Sequence, residues 1–250
     1  MRADQLLVVR YLASSRSQAQ RLIAGGVEWL QGETWRRVAK NGDEVPDDAA
    51  IRLLDDSEAR YVSRGGLKLE AALKQVGLSV AGLQCLDVGQ STGGFTDCLL
   101  QHGAARVVGV DVGSAQLHPS LRADPRVLCV EKLNARSLSA ADLSAPGFVP
   151  EFDLIVADLS FISQTLVLPA VVPLLKAGGT LLTLVKPQFE LQPGQVGKGG
   201  IVKDAALYWQ VEQRLREACA ALDLTVTAWF DSPIAGGDGN REFFICARKV

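Results

Sequence analysis

Long apolar runs are missing from this sequence, although 48% of its 250 residues are apolar. The longest candidate for a membrane span, Leu166 to Leu175, has ten residues and contains Pro169 and Pro173, whereas a span needs about 20 apolar residues. The N-terminus also lacks the apolar core of a signal peptide. We therefore expect a cytoplasmic protein that makes no membrane contact. A monomer is also expected.

Cysteine and histidine are also scarce. The five cysteines are at least 13 residues apart and form no CxxC pair: Cys85, Cys98, Cys129, Cys219 and Cys246. This spacing disfavours a zinc site or a disulfide framework and suits small buried hydrophobic side chains. Only His102 and His118 could serve a histidine-based metal site or a Ser-His-Asp hydrolase. We therefore expect no metal.

Charge is unevenly distributed around a net value of −2. Residues 1–42 carry a net charge of +4, residues 43–58 carry −6 and residues 59–78 carry +3. A net acidic chain does not by itself indicate a nucleic-acid-binding protein, but basic segments on a nearly neutral body suggest local contacts with phosphates.

The first 58 residues predict a small α+β domain. Helical patterns cover residues 4–12 and 18–24, the second capped by Ser15 or Ser17 and stopped by Gly25-Gly26, and short strands are predicted at 27–30, 34–38 and 51–54. Residues 59–66 are polar, end in Gly-Gly and are interpreted as an interdomain linker. A second domain then covers residues 67–250, and it begins with a helix over 67–76.

The second domain alternates apolar strands with amphipathic helices. Strands are predicted at 83–88, 106–110, 127–130, 152–157, 180–185, 224–230 and 242–247, and helices at 94–102, 163–175 and 204–222. Strands separated by helices predict an α/β fold with a doubly wound, mostly parallel sheet. The last two strands are joined by a glycine-rich loop without a helix, which predicts an antiparallel edge.

A glycine-rich loop closes the first strand of this sheet. Gly89-x4-Gly94 is followed by Phe95, so the lysine of a phosphate-binding P-loop is missing. A dinucleotide site needs a glycine where Ser91 stands. S-adenosylmethionine has no pyrophosphate and accepts a looser turn, and Asp111 follows Gly89 by 22 residues, where an acid binds the ribose of NAD or of S-adenosylmethionine. A tight strand–helix turn that binds no ligand remains an alternative interpretation of this loop.

Two charged residues lie at the ends of later strands. Asp158 ends one apolar strand and Lys186 follows another, after six uncharged residues. Open α/β sheets bind their ligands at the carboxyl ends of strands. A buried lysine needs a partner, so Asp158 is expected to pair with Lys186. These groups suit proton removal from a hydroxyl, although a plain buried salt bridge is the alternative.

Five motifs resemble the TlyA family of bacterial ribosomal-RNA 2′-O-methyltransferases, also labelled hemolysin A, over essentially the whole chain. They are YVSRGGLKL (61–69), LDVGQSTGGFTD (86–97), ADLSFIS (157–163), VKPQFE (185–190) and GNREFF (239–244). The resemblance implies an S-four-like RNA-binding domain in residues 1–58. It implies an FtsJ-like, Rossmann-like class I methyltransferase domain that uses S-adenosylmethionine in residues 67–250. Ribosomal RNA or a ribosomal subunit would be the partner.

The resemblance also assigns roles to residues. Its Lys-Asp-Lys-Glu tetrad matches Lys68, Asp158, Lys186 and Glu242, with Lys186 taking the proton of the ribose 2′-hydroxyl and the others positioning it. Cofactor contacts are expected from Gly89, Ser91, Thr92, Gly93, Gly94, Phe95, Asp111, Asn134 and Asp158. RNA contacts are expected from Arg2, Arg10, Arg16, Arg21, Lys40 and Arg64.

Two departures and two alternatives accompany this interpretation. Gln90 stands where a small residue is expected in the glycine loop, and Asn41 stands where a proline is usual. A non-catalytic RNA-binding or ribosome assembly factor could keep the same fold. A membrane-lytic hemolysin is disfavoured because the sequence contains no basic amphipathic helix.

Overall fold

The computed structural model describes residues 1–13, 15–54, 59–234, 236 and 239–250. The chain divides into two compact units, Met1–Leu67 and Lys68–Val250. The end of the first domain, predicted at residue 58, lies outside the described residues, and so does part of the glycine-rich loop before the last strand. Each unit has its own hydrophobic core.

The first unit contains two helices and a small antiparallel sheet, as the sequence predicts. Its elements are α1 (Ala3–Val9), α2 (Arg16–Gly26), β1 (Val27–Gln31), β2 (Thr34–Arg37) and β3 (Ile51–Leu53), and the strand order is β2-β1-β3. Helix α2 begins at the predicted cap, since Ser15 Oγ accepts a hydrogen bond from the backbone N–H of Gln18 at 3.2 Å. Leu6, Leu7 and Leu22 are buried in the core of this unit.

The second unit is built around a seven-stranded sheet. Its strands are β4 (Gln84–Val88), β5 (Arg106–Val110), β6 (Val127–Val130), β7 (Phe152–Asp158), β8 (Leu175–Val185), β9 (Leu224–Asp231) and β10 (Phe243–Lys249). Its helices are α4 (Gly94–Gln101), α5 (Pro119–Arg122), α6 (Leu168–Val171), α7 (Pro187–Glu190) and α8 (Ala206–Ala220). Helix α3 (Arg64–Val76) begins in the first unit and continues into the second.

The sheet has the strand order β6-β5-β4-β7-β8-β10-β9. Strands β4 to β8 pair in parallel, which confirms the predicted α/β architecture. The antiparallel strand is β10, and it lies between β8 and the edge strand β9 rather than at the edge itself. Because β10 runs against both neighbours, its first residues lie at the edge where the parallel strands end.

Two predicted helices have different bounds in the structure. The helix expected over 163–175 is broken into 3-10 turns around the four-residue α6, because Pro169 and Pro173 cannot donate helical hydrogen bonds. Helix α3 begins at Arg64, inside the expected linker. Gly66 is needed there because a Cβ on it would lie 2.3 Å from the ring of Tyr61, which is buried.

Candidate active site

Four charged side chains are brought to one edge of the sheet by three strands and a helix. Asp158 ends β7 and Lys186 follows β8, at the carboxyl ends of parallel neighbours. Glu242 precedes β10, whose first residue Phe243 pairs with Val185 at the end of β8. The antiparallel direction of β10 therefore places Glu242 beside the ends of β7 and β8.

Lys186 and Asp158 form the pair that the sequence predicts. The Nζ atom of Lys186 lies 2.5 Å from Oδ1 of Asp158 and donates a hydrogen bond of 3.0 Å to Oγ of Ser160. The two side chains are 13% and 26% exposed, so the amine is largely shielded while the carboxylate still reaches solvent. Lys186 is thus held by one ion pair and one hydrogen bond.

Lys68 and Glu242 form a second, more deeply buried pair. Lys68 lies on α3, and its Nζ contacts Oε2 of Glu242, with side-chain exposures of 8% and 3%. Burial raises the pKa of Glu242, while the ammonium of Lys68 opposes this rise. Lys186 and Asp158 also act on Glu242 electrostatically, so the two pairs belong to one charged cluster.

A cleft of about 550 Å³ lies next to this cluster. Residues from the loops after four neighbouring strands, β4 to β7, contribute to its lining. Of the residues predicted to bind the cofactor, this lining includes Gly89, Ser91, Asp111, Asn134 and Asp158. The crevice therefore lies outside the carboxyl ends of the strands, where open α/β sheets bind their ligands.

Asp111 braces the glycine loop from the end of β5. Its Oδ2 accepts a hydrogen bond of 2.7 Å from the N–H of Ser91, and its Oδ1 accepts one of 2.7 Å from the N–H of Gly113. A carboxylate offers about four acceptor positions, so Asp111 retains capacity for a ligand in the cleft. Asn134, further along the lining, accepts from the N–H of Arg136 at 3.0 Å.

Gly89 allows the loop to approach β7 closely. Its φ of 84° lies in the left-handed region, and a Cβ on it would lie 2.6 Å from the backbone oxygen of Asp158. Any other residue here would push the loop away from β7. The glycine therefore keeps the lining narrow beside the charged cluster.

Four other residues predicted to bind the cofactor come after Ser91 in the chain and are not part of the cleft lining: Thr92, Gly93, Gly94 and Phe95. Gly93 caps α4 in a left-handed conformation, and Gly94 opens the helix. Phe95 is buried, with its ring centroid 6.5 Å from that of Phe244. These residues turn the chain from the loop into the helix and anchor it in the core.

Gln90, which stands where a small residue is expected in the glycine loop, is not part of the cleft lining. Its side chain is 3% exposed, and its amide donates a hydrogen bond of 2.9 Å to Oγ1 of Thr96. Thr96 in turn donates to Oδ2 of Asp87 at 2.7 Å. Burial raises the pKa of Asp87 to about 7. A Cβ on Gly109 would lie 2.0 Å from the amide of Gln90, so that glycine makes room for the side chain.

Several lining residues were not anticipated. They include Gln116, Leu133, Ser160, Phe161 and Ile162. Phe161 is 90% exposed, adopts a φ of 64° and lies 5.0 Å from the ring of Phe189. Loop conformation decides which of these side chains face the cleft, and hydrophobic periodicity carries no signal for it. The adjacency of Ser160 to Asp158 was the one available hint.

Two of the predicted RNA-binding arginines share an internal partner. Arg2 Nε lies 3.1 Å from Oδ1 of Asp4, and Arg16 Nη2 lies 2.9 Å from Oδ2. The carboxylate is fully buried, and hydrogen bonds from both guanidinium groups hold its pKa well below the usual range. Both arginines remain about half exposed, so Asp4 holds two positive charges side by side at the surface of the first unit.

The other predicted RNA-binding residues are placed separately. Arg10 donates to the backbone oxygen of Ala49, and Arg21 donates to that of Ser17. Lys40 is exposed, and Arg64 is the half-buried first residue of α3. Arg10 therefore also helps to hold the first unit together.

The described residues contain neither a candidate metal site nor a candidate membrane-spanning helix. No group of three or more His, Cys, Asp or Glu side chains in this part of the chain could hold a metal ion. Across the same residues, no helix combines the length and apolar character needed to cross a membrane.

Comparison with known proteins agrees with the geometry. The model of the FtsJ-like methyltransferase family matches residues 61–249. The 16S/23S rRNA (cytidine-2′-O)-methyltransferase TlyA of Mycobacterium tuberculosis is 43% identical over 247 residues, which are 99% of this chain and 89% of that protein. Hemolysin A of Brachyspira hyodysenteriae is 39% identical over 250 residues, covering 97% of this chain and 98% of that protein.

A solved structure also matches the whole chain. The Streptococcus thermophilus protein, provisionally named a hemolysin, superposes with a TM-score of 0.76 at 39% identity, and the match covers 100% of this chain and 88% of the other. Methyltransferase and hemolysin are thus names given to proteins of one family. By its family match and its near full-length relatives, the chain belongs to the TlyA group of FtsJ-like methyltransferases.

Proposed function

We propose that this protein transfers a methyl group from S-adenosylmethionine to a ribose 2′-hydroxyl of ribosomal RNA. The observation that carries the proposal is the charged cluster of two lysine–carboxylate pairs beside the cleft. The cluster offers an amine and carboxylates to a hydroxyl. Relatives named as rRNA 2′-O-methyltransferases support RNA as the substrate.

The cleft suits S-adenosylmethionine. Asp111 has free acceptor positions for ribose hydroxyls, Gly89 brings the loop backbone close to Asp158, and apolar Leu133 and Ile162 can cover a flat base. No lysine of a phosphate-binding loop follows Gly94, which disfavours a nucleoside triphosphate. When bound, the cofactor supplies an electrophilic methyl group on a positively charged sulfur.

The chemical roles follow from the contacts. In its neutral form, Nζ of Lys186 takes the proton of the 2′-hydroxyl while the ribose oxygen gains the methyl group. Asp158 and Ser160 orient the amine from 2.5 Å and 3.0 Å. The Lys68–Glu242 pair forms the other half of the charged cluster, and its position is well defined because both side chains are almost fully buried. Positioned acid–base groups of this kind contribute about 10²–10⁴-fold to a rate.

The first unit is proposed to bind RNA. Its exposed arginines at Asp4, together with Lys40, present positive charge on a small α+β body. Phosphate contacts supply much of the affinity for nucleic acid and weaken as salt rises. Binding to ribosomal subunits should therefore depend steeply on ionic strength.

The test is methyl transfer to isolated ribosomal subunits that lack the modification. Each subunit is incubated with the full-length protein and labelled S-adenosylmethionine, and 2′-O-methylated nucleotides are then mapped in the RNA. The wild type should label one or a few riboses. Lys186→Ala and Lys186→Arg should both lose about 10²–10⁴-fold in turnover, because a guanidinium stays protonated at the pH of the assay.

A matched control lies at the opposite end of the same two strands. Lys176 on β8 pairs with Asp153 on β7 at 2.7 Å, far along the sheet from the cleft. Lys176→Ala should leave methyl transfer unchanged. Methyl groups on bases instead of riboses, or full turnover by Lys186→Arg, would contradict the proposal.

A further inference from the structure

The wall of the cleft that carries Ser160 and Phe161 is a loop without regular structure. It comprises residues 159–163, between the end of β7 and a 3-10 turn at Gln164–Leu166, and is hereafter the cleft loop. Residues 159–162 all line the cleft. Ser160 also contacts Lys186, so the position of this loop affects both the ligand wall and the amine.

A buried carboxylate holds the far end of the cleft loop. Glu190, the last residue of α7, is 3% exposed. Its Oε2 accepts a hydrogen bond of 2.5 Å from Oγ of Ser163, and its Oε1 accepts one of 2.8 Å from the N–H of Gln164. The two carboxylate oxygens of Glu190 thus bind the consecutive residues Ser163 and Gln164, where the loop ends.

Gln164 and Glu190 are themselves hydrogen-bonded to other elements of the second unit. The side chain of Gln164 accepts from Oγ1 of Thr183 at 2.7 Å and donates to the backbone oxygen of Leu184 at 2.8 Å, both on β8. Arg214 on α8 donates to the backbone oxygen of Glu190 at 2.7 Å. Since Lys186 directly precedes the short helix α7 and Glu190 is its last residue, the carboxylate ties the cleft loop to the segment that carries the amine.

We propose that Glu190 is a positioning residue that fixes the cleft loop against α7 and so sets the wall of the cofactor cleft and the contact of Ser160 with Lys186. The inference rests on the proposed function for its ligand. The inference goes beyond the proposed function because it gives a role to Glu190, which lies outside both the cleft and the charged cluster. Glu190 acts through Ser163 and Gln164 and does not touch the reacting groups.

Two substitutions at Glu190 separate geometry from charge. Glu190→Ala removes both acceptors, and S-adenosylmethionine should then bind at least about tenfold more weakly, since hydrogen bonds to buried charged groups are individually strong. Glu190→Gln keeps an acceptor for the N–H of Gln164 and offers an amide donor to Ser163. It should stay within about threefold of the wild type in both affinity and turnover.

Two further variants keep the test decisive. Ser163→Ala removes one of the two hydrogen bonds and leaves the buried carboxylate, so it should show a smaller loss even if Glu190→Ala does not fold. Glu212→Ala, on α8, removes an acid paired with Arg216 at 2.8 Å and should change neither quantity. Calorimetry with S-adenosylmethionine measures affinity, turnover on RNA separates kcat from KM, and thermal melting reports folding.

The outcomes are distinguishable. A wild type that binds S-adenosylmethionine, with weak binding by folded Glu190→Ala and rescue by Glu190→Gln, supports the inference. Wild-type affinity and kcat in both Glu190→Ala and Ser163→Ala would overturn it, as would a loss in Glu190→Gln as large as in Glu190→Ala. A wild type that neither binds the cofactor nor methylates RNA would instead refute the proposed function.

Discussion

Gly109→Ala, which adds one methyl group in β5, should disturb the glycine loop through the side chain of Gln90. Gly109 lies in β5, and a Cβ built there would be 2.0 Å from the side-chain amide of Gln90. That amide is nearly fully buried and donates to Thr96, so it cannot simply move into solvent. Gly109→Ala must therefore displace Gln90 and break its hydrogen bond.

The expected cost combines two effects. Forcing an extra methyl group into a packed interior costs about 1–3 kcal/mol, and leaving a buried hydrogen-bonding group without its partner costs about 1–3 kcal/mol. Gly109→Ala should thus lower the free energy of unfolding by about 2–6 kcal/mol. Gln90→Ala alone loses the hydrogen bond and leaves a cavity, for about 1–3 kcal/mol.

The double variant gives the decisive comparison. With Gln90 truncated, the added methyl group occupies space that the amide has left, so Gln90→Ala/Gly109→Ala should be no less stable than Gln90→Ala. Urea unfolding of the four proteins should give a coupling of about 2–6 kcal/mol between the two positions, which is the whole cost of Gly109→Ala alone. Calorimetry should show the same rescue in S-adenosylmethionine affinity, because Gln90 directly follows Gly89, which lines the cleft. Strictly additive losses would show that Gln90 does not occupy the space above Gly109.

Four further outcomes are expected. Asp111→Ala should weaken S-adenosylmethionine binding by about 1.5–3 kcal/mol, measured by calorimetry, as a charge-assisted hydrogen bond is lost. Burial raises the pKa of Asp87 from 3.8 to about 7, so wild-type stability should fall as pH rises between these values, and Asp87→Asn should flatten that slope in urea unfolding. Lys68→Met leaves Glu242 buried without its partner and should cost about 3–5 kcal/mol, which Lys68→Met/Glu242→Gln should largely restore. The lowered pKa of Asp4 means that Asp4→Asn should reduce the melting temperature at pH 7. The difference should shrink as the pH falls below 3.8, because the carboxyl group of the unfolded wild type then takes up a proton that the folded protein does not bind.

Strand positions were the most predictable part of the fold. The strands expected at 106–110 and 127–130 have identical bounds in β5 and β6, because short apolar runs rich in valine are bounded by charged or polar residues. The predicted helix at 163–175 was wrong in its continuity. Its apolar residues do lie in the core, but two prolines split it, and β8 already begins at Leu175.

The candidate site was predictable only where chemistry coincides with a strand end. Asp158 and Lys186 could be paired by reasoning because each directly follows a buried run, and the structure shows them in contact. Gln90 could not be interpreted from its place in the loop. Its role depends on Gly109, 19 residues away on another strand, and a sequence alone does not show that a missing side chain there creates space.

Glu242 shows how topology decides which charges meet. It precedes the last strand, and residue patterns alone did not connect it with the charged cluster; only the family resemblance did. Its contact with Lys68 depends on β10 running antiparallel next to β8, which places the start of β10 at the edge where β7 and β8 end. If β10 and β9 exchanged places, Glu242 would lie one strand, about 4.8 Å, further from the ends of β7 and β8 that carry Asp158 and Lys186. The insertion of β10 inside the sheet is therefore what completes the charged cluster, and the antiparallel strand belongs to the site as much as to the fold.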